Sequence, residues 1–273
     1  MKPAPFQYRQ ALSSSEVSEF LAKNDTSVKL IAGGQSLGPM LNLRLVQPSI
    51  LLDITRLPEL KKVSSSGDEL VIGSCVTHAN LEDLHATTKT EEILSRVARG
   101  IAYRAIRNRG TIGGSIVHAD PSADWLTTLS ALNAKLTIFS SHGIKETALG
   151  DTLKGPFELH LQAHEWLHSI RVPLLNEQEK WRYVKLTRKT GEFAHAMAAV
   201  LWSPIKGRSR VVLGATETSP IVYDWDGALS DIGIEKVAAD LSSELVRRGV
   251  GDAIDNKIRL SALRQALSTL LIN

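Results

Sequence analysis

Residues 32–40 read AGGQSLGPM: two adjacent glycines, an amide, a hydroxyl, then a third glycine and a proline. The run VKLIA leads in, apolar and strand-like, and LNLRLVQPSILLDI leads out without a long helical period. Two physical readings compete. A tight turn between strands uses glycine because it reaches positive φ without steric cost. An anion cradle uses it because a backbone free of side chains lets several N–H groups converge on a phosphate. One glycine pair does not separate these readings, but residues 111–115, TIGGS, supply a second.

Neither segment fits a standard nucleotide motif. In AGGQSLG, Gln35, Ser36 and Leu37 follow Gly34 in the wrong frame for G-x-G-x-x-G, and Pro39 stands where a P-loop needs lysine. Each turn nevertheless offers consecutive N–H donors and hydroxyls: Ser36 in the first, Thr111 and Ser115 in the second. A diphosphate held by two separate loops would use this equipment. The residues alone leave a pair of plain turns equally open.

Around these segments the chain alternates helix and strand. SSSEVSEFLAK opens on serines with Glu16 three residues after Ser13, a capping-box pattern, and Val17, Phe20 and Leu21 follow at helical spacing. VKLI, SILLDI and ELVIGSCV are apolar, strand-like runs, with a hairpin expected around Ser66, Gly67 and Asp68. Residues 80–106 form the longest helical zone, marked by Leu81, Leu84, Ile93, Leu94 and Val97. A loop, a helix near residues 124–133, a strand, and the strand-like HSIRVP follow the second glycine turn. Pro173 and the polar run NEQEK then mark a boundary, giving domains 1–175 and 176–273. Beyond it, WRYVKLTRKT, AHAMAAVLWSP and SRVVLGATE read as strands and residues 232–271 as mostly helical. That order predicts α+β units rather than one doubly wound sheet.

Composition removes several function classes. A net charge of +3 over 273 residues does not suggest nucleic acid. The basic run RVARGIAYRAIRNRG has only Tyr103 interleaved among its arginines, poor for base stacking, so a solvated or subunit-docking helix is expected. A single cysteine, Cys75, rules out a disulfide framework or a cysteine-held cluster within the chain and reads as a small core residue. His78 reads as a satisfied polar side chain. No signal peptide or membrane-spanning run is visible, so a cytoplasmic location is expected. HEWLH at residues 164–168 matches the H-E-x-x-H zinc-protease pattern formally. That motif needs a helix to bring both imidazoles onto one face, whereas SIRVP downstream and Gly155-Pro156 upstream predict a strand.

With both glycine loops in place, AGGQSLGPMLNLRLVQPSILLDI and IRNRGTIGGSIVHADPSAD resemble the two FAD-binding signatures of a known family. It is the flavoprotein (medium) subunit of the molybdenum hydroxylases, of xanthine dehydrogenase and carbon monoxide dehydrogenase type. The similarity continues through GPFELHLQAHEWLHSIRVP and YVKLTRKTGEFAHAMAAV, so it covers nearly the whole chain. Gly38 and Pro39 depart from it, standing where relatives carry larger apolar residues.

The resemblance implies a vanillyl-alcohol-oxidase type FAD domain of two α+β subdomains, then a small C-terminal α+β domain of antiparallel strands and helices. It assigns the FAD pyrophosphate to Ala32, Gly33, Gly34, Gln35, Ser36 and Leu37 together with Thr111, Gly113, Gly114 and Ser115. Asp124 falls where the family holds ribityl or ribose hydroxyls, Leu167 where a strand backbone meets the isoalloxazine, and Lys185 near that ring. No covalent flavin attachment is implied. The implied partners are a large molybdenum-cofactor subunit and a small [2Fe–2S] subunit. The implied role is electron transfer to NAD or another acceptor. A stand-alone FAD oxidase, a zinc hydrolase on HEWLH and a cofactor-free basic interaction module are the alternatives.

Overall fold

The computed structural model describes residues 2–24 and 27–272. Its first layer is a parallel sheet. Strands β1 (Gln7–Gln10), β2 (Val28–Ile31) and β3 (Ile50–Asp53) lie in the order β1-β3-β2. Parallel neighbours need crossovers, here α1 (Ser14–Asn24) and the short α2 (Leu37–Asn42). The Ser13 hydroxyl accepts from the Glu16 N–H at 3.1 Å, as the serine–glutamate spacing predicts. Val17 and Leu21 of α1 are buried with Leu52 of β3.

The second layer is antiparallel. Strands β4 (Val63–Ser66) and β5 (Glu69–Gly73) form the expected hairpin, with Gly67 at φ 64° opening its two-residue turn. The helical zone at 80–106 is three helices rather than one: α3 (His78–Glu82), α4 (Lys89–Arg99) and α5 (Arg104–Arg107). Local capping divides it. Thr77 with Asn80 and Thr88 with Glu91 each close a full capping box, and Ala102 at φ 44° breaks the chain direction between α4 and α5.

The second glycine segment is also helical, as α6 (Ile112–His118), followed by α7 (Asp124–Ala131). Strands β6 (Lys135–Ser140) and β7 (Gly143–Ala148), then α8 (Leu149–Thr152) and the small pair β8 (Leu153–Gly155) and β9 (Glu158–Leu159), lead to β10 (Trp166–Pro173). Strand β10 is the centre of a five-stranded sheet ordered β4-β5-β10-β6-β7. Leu94 and Val97 of α4 and Leu126 and Leu129 of α7 share one core with Ile138 and Ile170 of this sheet. Trp166 Nε1 donates to Ser18 Oγ at 2.9 Å, tying the sheet to α1.

Strands β11 (Lys180–Leu186), β12 (Ala196–Ser203), β13 (Arg208–Gly214) and β14 (Ile221–Asp226) form an antiparallel meander. After the one-turn α9 (Leu229–Ile232), α10 (Ile234–Arg247) and α11 (Ala253–Ile272) cover one face of it, burying Val237, Leu241, Leu263 and Leu267 against Ala198, Val200 and Val211. The other face packs on α7, where Ala131 meets Ala199 and Val212. Helix α7 therefore lies between two sheets and is buried along its whole length. Among the described residues, no helix is long and apolar enough to cross a membrane.

Candidate functional site

The first glycine loop joins β2 to α2. Gly34 turns the chain at φ 71°, and Gln35 pins the turn by donating from its side-chain amide to the Gly33 carbonyl at 3.0 Å. Pro39 costs the helix nothing, because it sits in the first turn, where its missing N–H would have no intrahelical partner. Among the described residues, the backbone N–H groups of Gly33, Gly34, Gln35 and Ser36 have no protein acceptor. Four adjacent amides without partners are unusual, since backbone donors in native folds are nearly always paired.

Gly33 has a different reason to be glycine. A Cβ there would stand 2.1 Å from the Arg109 carbonyl oxygen and 2.8 Å from Gly110 Cα. The two glycine segments, far apart in sequence, are in backbone contact.

The second segment differs from its reading as a donor-rich turn. As the first turn of α6, its amides are already occupied: Ile112 N–H donates to Val76 O and Gly113 N–H to Ser74 O, each at 3.0 Å. The Gly114 N–H donates to the Thr111 cap hydroxyl and the Ser115 N–H to the Thr111 carbonyl, also at 3.0 Å. Gly113 is glycine because a Cβ would meet the Ser74 carbonyl at 2.5 Å. What this wall presents is its exposed Gly114 backbone and the Ser115 hydroxyl, a thin surface rather than a row of donors.

Both segments line one cleft of about 960 Å³, near the top of the roughly 300–1,000 Å³ typical of cofactor sites. Ala32, Gly33, Gly34, Gln35, Ser36 and Leu37 lie on it together with Thr111, Gly113, Gly114 and Ser115, and Asp124, Leu167 and Lys185 line the same space. Every position that the resemblance assigns to FAD is thus brought to one cleft. The donor set fits a diphosphate: free amides on one side, a side-chain-poor wall against them, and no bulk between.

Asp124 opens α7 and is buried. Its carboxylate accepts from Lys185 Nζ at 2.9 Å and from the Tyr183 hydroxyl at 2.8 Å, and Lys185 also donates to the Gly100 carbonyl at 3.2 Å. Burial pushes the Asp124 carboxyl up, and the Lys185 charge and the two hydrogen bonds pull it back. Burial, reinforced by Asp124, raises the Tyr183 phenol well above its ordinary range. Tyr183 was not anticipated, although it sits two residues from Lys185 on the same strand face, a spacing readable from period-two alternation.

Leu167 reaches the cleft beside a β-bulge. Leu167 pairs with Ile138 and Ser169 with Thr137, so His168 is an extra residue opposite nothing. Bulges of this kind re-aim neighbouring side chains.

HEWLH runs from a turn at His164 into this strand and not along a helix. His168 stacks on Phe139 with centroids 3.9 Å apart, His164 meets His142 edge-on, and Glu165 pairs with Lys145 at 3.0 Å. The three side chains of the motif go to three different neighbours.

Other side chains settle in the core or on the rim. Cys75 is buried, and burial pushes its thiol up to about 12. His118 lines the cleft and packs on Phe157 with centroids 5.2 Å apart. Within the basic run, Arg107 turns inward and clamps Glu82 at 2.7 Å, so part of that run is structural rather than solvated.

Comparison with known proteins agrees with this geometry. Residues 4–175 match the family described as the FAD binding domain in molybdopterin dehydrogenase. The chain is 32% identical to the nicotine 6-hydroxylase medium subunit of Paenarthrobacter nicotinovorans, covering 89% of this chain and 87% of that one. It is also 32% identical to the carbon monoxide dehydrogenase medium chain of Hydrogenophaga pseudoflava, over 84% and 80% of the two chains. A solved carbon monoxide dehydrogenase from Hydrogenophaga pseudoflava superposes with a TM-score of 0.89 at 27% identity, covering 100% of this chain and 99% of that one. Quinoline 2-oxidoreductase from Pseudomonas putida 86 superposes with a TM-score of 0.83 at 33% identity, covering 100% and 97%. The chain belongs to the FAD-binding medium subunits of the molybdenum hydroxylase family and is an oxidoreductase subunit.

Proposed function

We propose that the chain is the electron-transfer subunit of a cytoplasmic molybdenum-dependent hydroxylase or dehydrogenase. In this reading a large partner oxidises the substrate at its molybdenum cofactor. A small partner relays electrons through [2Fe–2S] clusters, and this subunit passes them to NAD or another acceptor. Residues 1–175 would form the FAD domain and residues 176–273 the C-terminal domain. The observation that carries the reading is the row of amides at Gly33, Gly34, Gln35 and Ser36, which have no acceptor among the described residues and lie on the cleft. The single buried cysteine supports the division of labour, since clusters of this type need several thiolates.

The chain's own residues then have distinct tasks. The four amides and the Ser36 hydroxyl would bind the diphosphate, while Gly113 and Gly114 keep the facing wall thin. Asp124 would accept from sugar hydroxyls through lone pairs left by Tyr183 and Lys185. Lys185 would hold positive charge beside the ring. When bound, FAD supplies the exchange between one-electron and two-electron carriers, and the protein supplies position and electrostatics.

The test is the absorption spectrum of the complex purified with its partners. Flavin and iron–sulfur bands are expected together, and the Gly33→Val chain should lose the flavin band alone. Full flavin content in that variant contradicts the loop assignment. Turnover of substrate by the isolated chain would favour a stand-alone oxidase instead.

A further inference from the structure

We propose that His78 is a further cofactor-binding residue, its Nε2–H donating to the anionic linker of FAD where the two glycine segments meet. The inference rests on the FAD reading above and extends it to a side chain that neither motif nor resemblance marked. His78 is the first residue of α3, and its backbone N–H donates to the Gly110 carbonyl at 2.9 Å. This fastens the ring to the chain just before the second glycine segment. The side chain is 5% exposed, yet it lines the cleft.

Its protonation is set from behind. Trp125 Nε1–H donates to His78 Nδ1 at 3.1 Å. An indole nitrogen only donates, so Nδ1 must be the acceptor and the ring proton resides on Nε2. Burial first, and the Arg107 charge second, bring the imidazole down to about 4. The ring is therefore neutral under ordinary conditions, a donor without a charge.

Nε2 has no protein partner among the described residues. The neighbour that would have covered it is glycine: a Cβ on Gly110 would stand 3.0 Å from both Nε2 and Cδ2. Gly110 is also the residue against which Gly33 packs. A buried donor facing a cleft at the contact between two loops is costly unless something accepts from it. An anion held by the adjacent amides is such an acceptor, and a hydrogen bond to a charged group is the stronger kind.

Two amide variants separate the two ring nitrogens. His78→Asn offers an acceptor to Trp125 but falls short of the cleft; His78→Gln reaches the Nε2 position. Full-length chain stripped of flavin would be titrated with FAD by quenching of flavin fluorescence, with near-UV circular dichroism as the check on folding. Weakening by about tenfold or more is expected for His78→Asn, with His78→Gln closer to wild type. Gly110→Ala, which covers Nε2 and leaves the histidine in place, should weaken binding similarly, and it decides the matter if His78→Asn misfolds. Wild-type affinity in folded His78→Asn or, failing that, in Gly110→Ala overturns the proposal, provided Gly33→Val loses FAD. If Gly33→Val also binds normally, the loop reading falls first and this inference falls with it.

Discussion

The two glycine pairs share a dipeptide and have opposite surroundings. At residues 33–36 the amides have no acceptor among the described residues, and Gly34 adopts a backbone shape that other residues resist. At residues 112–115 each amide has an acceptor, and the glycines continue an ordinary helix turn. One segment contributes donors; the other contributes absence of bulk. The lesson is that a glycine count does not identify an anion site. Where the amides point, and what a side chain would strike, does.

This contrast can be broken by substitution. The largest effect should come from Gly33→Val, whose Cβ would lie 2.1 Å from the Arg109 carbonyl oxygen. Forcing the segments apart should cost at least about 3 kcal/mol in chemical denaturation and remove flavin. A smaller loss on that stability scale would mean the contact is soft.

The anchor behind the second segment should appear as a pH effect. His78 takes its proton near 4 when folded and near 6.5 when unfolded. Between those values the unfolded chain binds more protons, so stability falls as the medium is acidified through this window and levels off below it. The span is about 3 kcal/mol. Denaturation at a series of pH values should show a shallower slope in His78→Asn than in wild type, with His168, also pushed down by burial, still contributing in the same direction; equal slopes would separate the ring from the titration.

Gly34→Ala should cost roughly 1–2 kcal/mol, because the penalty is the left-handed backbone rather than a collision; its nearest contact would be an ordinary 3.5 Å to Ile31. Least affected in stability should be Gly114→Ala. There a gain in helix propensity of about 1 kcal/mol offsets a disturbed cap of about the same size, the new Cβ lying 2.9 Å from Thr111 Oγ1. Its FAD affinity should nevertheless drop, since the methyl group enters the cleft from the thin wall. Unchanged affinity in a fluorescence titration would show that this wall does not touch the cofactor.

Sequence reading reached some of this and missed the rest for definable reasons. Local signals held. The Ser13–Glu16 spacing, the Gly67 hairpin and the extended state of HSIRVP all depend on neighbours a few residues apart. Five strands went unread, two of them, β8 and β9, only three and two residues long. Strand β7 is exposed over most of its length, β1 is short and polar, and in β14 only alternate positions are covered, so none shows a continuous apolar run. The helical zone was overextended because its apolar spacing persists through Thr88, whose cap starts a new helix, and through Ala102, whose left-handed backbone breaks the chain direction. Long-range facts were out of reach. Nothing near Gly33 points to Arg109, and nothing near His78 points to Trp125, whose indole lies 47 positions away. The candidate site was legible as a set of residues through resemblance, while the job of each glycine required the fold.

Helix α7 carries a final consequence for how the molecule comes apart. Pro173 and NEQEK look like a seam in the sequence, but the meander is glued to the far side of that helix. A Cβ on Gly214 would lie 1.8 Å from Thr127 Oγ1, and Arg210 reaches across to the Ser130 carbonyl at 3.1 Å. A fragment ending at the seam would keep both glycine segments of the cleft, yet it would strip the helix of half its cover and leave the Asp124 carboxylate without its counter-ion. A place convenient for scissors is therefore not a place where the protein is divisible.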